Sequence, residues 1–169
     1  MTSFQLGETL RKTWLRSTAK AAFVTSATNL GASATFQPQL YLRDGSANTI
    51  VVIGKADPPR FAACVVLAPN RLDVNRTVRD RIGTRKASFA PAELTRELTG
   101  MEIGGVTVFG LPEDLPIWVD ARVMTRERIV LGGGSRSWKV IADPRILLAL
   151  PNVTVVDGLA GDPRPETDA

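Results

Sequence analysis

Histidine is absent from this chain of 169 residues. Ser-His-Asp and Cys-His catalysis are therefore excluded, and so is the commonest protein metal ligand. A zinc site would have to combine one cysteine with carboxylates, so neither a metal nor another cofactor is expected. Cys64 stands alone, which rules out an internal disulfide and suits a reducing cytoplasm. No apolar run approaches the roughly 18 residues of a membrane helix, and no secretory signal is read at the N-terminus. A cytoplasmic protein without a membrane partner is the expectation. What chemistry remains must use backbone dipoles, hydroxyls, lysine, aspartate or the substrate itself.

What is present describes one globular domain. The chain is 44% hydrophobic, with a mean hydropathy of +0.02. Its net charge is +4, and the basic excess is concentrated in residues 71–86. Arg71, Arg76, Arg79, Arg81, Arg85 and Lys86 stand there against Asp73 and Asp80. Such a cluster could meet phosphates, or it could be a solvated helix face.

Along the chain, Leu6, Leu10 and Trp14 recur at helical spacing, predicting an amphipathic helix over residues 1–23. Residues 25–39 read as loop or weak strand, and Tyr41 and Leu42 as a short strand before the Asp44-Gly45 turn. The β-branched run 49–53 and the apolar run 61–67 predict a hairpin across Asp57-Pro58-Pro59, with Cys64 in the core. Asp73 is placed to cap a helix ending at Gly83. Ala90-Pro91 opens another, with Leu94 and Leu98 inward and Gly100 at its end. Strands follow at 115–120, 128–131, 137–141 and 153–156, with helical turns near Val123 and at 145–150. The pattern predicts an α+β fold: a single domain around a mixed, mostly antiparallel, barrel-like sheet with flanking helices.

Two glycine-rich turns stand out. Residues 99–112 carry four glycines among apolar side chains, so this loop must lie against the protein body. Its bare backbone would there approach either a ligand or its own core. Gly132-Gly133-Gly134-Ser135 is the second. Backbone N–H groups at either turn could hold an oxyanion. Neither matches a P-loop or a Gly-x-Gly-x-x-Gly signature, so nucleoside triphosphates are not expected. Asp120, ending an apolar strand, reads either as a ligand-recognising carboxylate or as a helix N-cap. Thr107 could offer its hydroxyl to a ligand or to its own loop.

Taken in order, Lys86-Ala87-Ser88-Phe89-Ala90, Glu97-Leu98-Thr99-Gly100, Gly104-Gly105-Val106-Thr107-Val108-Phe109-Gly110-Leu111-Pro112, Val119-Asp120 and Gly132-Gly133-Gly134-Ser135-Arg136 resemble the YbaK/EbsC (ProX-like) domain. That domain edits aminoacyl-tRNA, within prolyl-tRNA synthetases or as a free-standing deacylase. The resemblance spans roughly residues 47–160, leaving 1–46 as an N-terminal helix and loop of the same domain and 161–169 as a tail. It implies hydrolysis of a mischarged aminoacyl ester in trans. The substrate's own ribose hydroxyl and backbone donors would manage the water. Mischarged tRNA is the implied partner through its acceptor end, with an aminoacyl-tRNA synthetase and a second copy of the chain as further candidates.

The implied catalytic positions are Asn48, Gly105 and Thr107. The implied substrate-binding positions are Thr49, Gly104, Val106, Val108, Phe109, Gly110, Asp120, Gly133, Gly134 and Ser135, with Arg76, Arg79 and Lys86 toward tRNA. The sequence departs from the family pattern twice. Asn48 stands where the family has a strand lysine, and Val108 where the loop has proline. Asn can hydrogen-bond but brings no charge, so a catalytically weakened binder of tRNA or aminoacyl-adenosine is the alternative. A dimer contact through the apolar loop is a third reading.

Overall fold

The structure, a computed structural model, describes residues 22–26 and 45–163. Most of the helix expected over 1–23, the Tyr41-Leu42 strand and the last six residues lie outside these. Ala22 and Phe23, expected to end that helix, instead open strand β1 (Ala22–Ser26).

The central hairpin is formed by β2 (Ala47–Gly54) and β3 (Arg60–Leu67), in antiparallel register from Ala47 opposite Leu67 to Gly54 opposite Arg60. Further strands are β4 (Arg71–Leu72), β5 (Ala87–Phe89), β6 (Ile117–Asp120), β7 (Ile129–Gly132), β8 (Trp138–Ala142), β9 (Val153–Val156) and β10 (Ala160–Gly161). Among the described residues they form a five-stranded sheet β5-β2-β3-β6-β9, a three-stranded sheet β1-β8-β7 and the pair β10-β4. β6 runs parallel to β3 and β9, which makes the large sheet mixed.

Among the described residues no closed barrel forms. β5 pairs only with Val52, Ile53 and Gly54 of β2, and β7 touches the other end of β2 through a single bridge between Ser46 and Val130. Between those two contacts no strand among the described residues lies beside the β2 edge.

Strand alternation sorts the core into two sides. Ala47, Ala63, Val65, Ile117 and Val119 pack with Val108, Phe109, Leu131 and Val140 on one side. Val52, Cys64, Val66 and Trp118 pack with Val78 and Ile82 on the other. Cys64 is fully buried, and burial pushes its thiol up to about 12, as an inert core residue requires.

The Asp73 carboxylate caps as expected, accepting from the N–H groups of Arg76 and Thr77. The helix it starts is irregular: a wide turn at Val74–Val78 runs into α1 (Arg79–Ile82). α2 (Ala92–Thr99) follows, closed by Gly100. Its inner face is not the expected one. Leu94 is exposed, whereas Thr95 and Thr99 are buried beside partly buried Leu98. The Thr99 hydroxyl donates to the Thr95 carbonyl oxygen (2.6 Å) and accepts from Met101 N–H (3.1 Å). A hydroxyl satisfied by its own backbone can be buried, and apolar spacing alone does not reveal that.

α3 (Ala121–Met124) follows β6, and a 3-10 turn at Pro144–Ala149 is capped by Asp143. The adjacent Arg145 guanidinium holds the Asp143 carboxyl below its ordinary range. No helix among the described residues is long and apolar enough to cross a membrane.

Candidate active site

The two glycine turns meet backbone to backbone. Gly134 N–H donates to the Gly105 carbonyl oxygen (2.7 Å), Glu102 N–H to the Gly134 carbonyl oxygen (3.1 Å), and Gly105 N–H to the Glu102 carbonyl oxygen (2.9 Å). A Cβ on Gly105 would lie 2.3 Å from the Ser135 carbonyl carbon, and one on Gly132 would lie 2.4 Å from the Val106 carbonyl oxygen. Both contacts are with main chain that has nowhere to go. Glycine is required here because one loop lies directly on the other.

This interlock fixes the loop's orientation. Met101, Val106, Val108 and Phe109 are buried, and Ile103 is the exposed apolar residue of that segment. Little apolar surface is left for the dimer contact read from the sequence.

Next to the interlock, the gap in the β2 edge becomes a cleft of about 100 Å³. It is lined by Ser46, Ala47, Asn48 and Thr49 of the β2 side, Gly104 and Val106 of the loop, and Val130, Leu131, Gly132 and Lys139 of β7 and β8. The hydrogen-bonding phase of β2 shows what faces it. Gly45 O accepts from Val130 N–H (2.8 Å) and Val51 O from Ala90 N–H (2.9 Å), both on the edge away from β3. Thr49 lies between them in the same phase, so its own N–H and C=O point out of the sheet at the gap. The Thr49 Oγ1 is buried and has no hydrogen-bond partner among the described residues. A buried hydroxyl without a partner costs about 1–3 kcal/mol, which a ligand or water in the cleft would recover.

The remaining positions named from sequence fall in several places. Asn48 lines the cleft but is exposed, and alternation puts its side chain on the face of Ile50 and Val52, opposite Thr49. Gly105 has both backbone groups committed to the interlock. Thr107 is fully buried, donates its N–H to the Met101 sulfur (3.4 Å), and leaves its own Oγ1 unpartnered among the described residues. Val108 and Phe109 belong to the main core, and Gly110 is exposed. Gly133, Gly134 and Ser135 shape the second turn beside the cleft.

Asp120 is buried away from the cleft and fully employed. It accepts from Arg122 N–H (2.9 Å) as the α3 cap and from Ala160 N–H (2.8 Å). Arg76 and Lys86 are exposed, and Arg79 pairs with Asp80 at 2.7 Å. These three sit on the side of the sheet covered by Val78 and Ile82.

Six lining residues were not among the named site positions: Ser46, Ala47, Val130, Leu131, Gly132 and Lys139. Lys139 is half-buried, its Nζ 3.5 Å from the Gly104 carbonyl oxygen, and Gly132 is its register partner across β7 and β8. Counting the hairpin back from the glycine triplet would have found the lysine.

A larger open groove of about 680 Å³ lies on the other face, lined by Asn70, Arg71, Asp73 and Phe89 among others. Its polar groups are largely spoken for: Asn70 Nδ2 donates to the Gly161 carbonyl oxygen, and Asp73 holds Arg76 N–H and Thr77. The small cleft is the place with open valences.

Comparison with known proteins agrees on the domain. The family model described as "Aminoacyl-tRNA editing domain" matches residues 39–150. The chain belongs to this family. Among solved structures, it is similar to a protein described as a candidate trans-editing enzyme for prolyl-tRNA synthetase, at 24% identity and a TM-score of 0.71 over 92% of this chain and 94% of that one. Hypothetical protein APE2540 aligns at 21% identity and a TM-score of 0.69, over 89% and 97% of the two chains. A protein from Marinobacter aquaeolei described as a candidate signal transduction protein matches 93% of this chain with 30% of its own, at 16% identity and a TM-score of 0.61. At these identities the likeness establishes the α+β fold shared with the editing-domain structures. The editing role itself rests on the family match.

Proposed function

We propose that this editing-family protein hydrolyses the ester of a mischarged aminoacyl-tRNA in trans, as a cytoplasmic deacylase, and that the β2-edge cleft receives the aminoacyl end. The observation that carries the reading is Thr49: an unpartnered hydroxyl and an open strand edge in a small cleft, inside the matched domain. Among the described residues the cleft lining holds no carboxylate, and the chain has no histidine. An activated ester suits a lining built of backbone donors, hydroxyls and one lysine.

In this reading the Thr49 hydroxyl and edge N–H hold the water or the acyl oxygen. Gly104 and Val106 form the opposite wall, and the neighbouring ribose hydroxyl of the substrate orients the attack. Fixing reactants in this way, with donors aimed at developing charge, can supply the acceleration without a general base. Gly105 then serves by shaping the loop, since its N–H is already bonded to Glu102.

A panel of mischarged tRNAs tests the proposal: one or more should be deacylated well above the spontaneous rate. Folded protein that turns over none of them would sink the enzyme reading. The second reading, a binder that holds tRNA or aminoacyl-adenosine without hydrolysis, is favoured by the uncharged Asn48. Asn48→Lys separates the two. It should raise hydrolysis if charge at that rim is what the chain lacks, and an unchanged rate would show that the position matters little.

A further inference from the structure

Two cations, Arg136 of the β7–β8 turn and Lys139 of β8, converge on one glycine of the loop. The Arg136 side chain lies over Gly104, where a Cβ would meet its Nε at 3.5 Å and its Cγ at 3.6 Å, and Nε donates to the Ile103 carbonyl oxygen (3.0 Å). Lys139 Nζ reaches the Gly104 carbonyl oxygen (3.5 Å). Gly104 and Lys139 both line the cleft, and Arg136 packs against Gly104 beside it. Neither side chain has an ion-pair partner among the described residues. Glu102, the carboxylate nearby in the loop, is engaged by the Arg136 backbone N–H at 3.4 Å.

The basic segment 71–86 is differently placed. Val78 and Ile82 anchor it on the opposite side of the large sheet. Arg79 is paired with Asp80, and Arg81 stands 5.6 Å over the Trp118 ring.

We propose that Lys139 and Arg136 form a phosphate-binding rim, holding the phosphodiester next to the reacting nucleotide, so that RNA enters over the β7–β8 turn and not over residues 71–86. The inference rests on the cleft being the ester site. A terminal nucleotide whose acyl group enters the cleft must leave its phosphodiester beside it, where Lys139 and Arg136 stand. Anchoring Arg136 through Nε leaves its terminal nitrogens to face an anion, and Lys139 adds a point charge.

The test is the affinity of an uncharged RNA hairpin ending in single-stranded 3′ CCA, measured across a salt series. Replacing both cations (Lys139→Gln with Arg136→Gln) should weaken binding about tenfold and make the slope of log K against log salt shallower by about 1.4. Lys139→Gln alone should give about half the slope change, and Lys139→Arg should restore it. Melting curves check that each variant is folded; should the double variant unfold, the single variant carries the test. Unchanged affinity in the folded variants, no RNA binding by the wild type, or a loss confined to Arg76→Gln with Arg79→Gln would overturn the proposal. Binding is read without turnover. Intact rim binding without hydrolysis therefore refutes the catalytic reading alone, and hydrolysis with rim-insensitive binding refutes the rim alone.

Discussion

The two faces of the five-stranded sheet treat their polar groups in opposite ways. On the face carrying residues 71–86, several polar residues are satisfied within the fold. Asp73 caps a turn, Arg79 holds Asp80, Arg60 Nη1 donates to the Ile82 carbonyl oxygen (3.2 Å), and Asp120 ties α3 to Ala160. On the other face, main chain lies on main chain through the glycine turns, and beside that contact Thr49 faces a gap with its hydroxyl unpartnered. Saturated groups hold a fold together, whereas open ones in a cleft are free for a ligand. Charge density pointed to the first face, and unspent hydrogen-bonding capacity points to the second.

The strongest challenge to this contrast is at the interlock. Gly132→Ala places a methyl group 2.4 Å from the Val106 carbonyl oxygen. It should cost about 3 kcal/mol of stability in denaturant unfolding and abolish activity with it. A fully stable variant would mean that the two turns do not meet so closely. On the saturated face, Asp120→Ala strands the buried Ala160 N–H and uncaps α3, for a loss of about 2 kcal/mol. The folded fraction should keep its specific activity, because Asp120 faces away from the cleft; selective loss of activity would return Asp120 to the site. The smallest effect is expected at Thr107, where Thr107→Val removes a buried hydroxyl without a partner. Stability should be unchanged or higher by up to about 1 kcal/mol, with hydrolysis intact. A large drop in rate at normal stability would place that hydroxyl in the chemistry.

Much of the fold was legible in the sequence because local signals and tertiary demands agree. The β-branched run became β2, Cys64 went to the core, Asp73 and Asp143 capped their turns, and the hairpin of β7 and β8 followed from its glycine triplet. Leu94 and the buried Thr95 and Thr99 were misread, since a hydroxyl that bonds its own helix carries no apolar signature. A barrel-like mixed sheet was expected; among the described residues, β5 pairs with only three residues of β2 and no closed barrel forms. The site was half legible. Glycine density marked a loop that walls the candidate cleft, yet much of it serves close packing. The open valence of Thr49 depends on which way a strand edge faces. The position of Lys139 depends on hairpin register and on the distant loop that it touches.

The central claim is that the β2-edge cleft is where an aminoacyl ester is broken. Single-turnover deacylation of the best mischarged substrate, by wild type and by Thr49→Val side by side, tests it most directly. Valine keeps the shape and removes the hydroxyl. The account predicts that the variant folds normally and loses at least about tenfold in rate, equivalent to roughly 1.4 kcal/mol of transition-state stabilisation. Equal rates in the two proteins would contradict it.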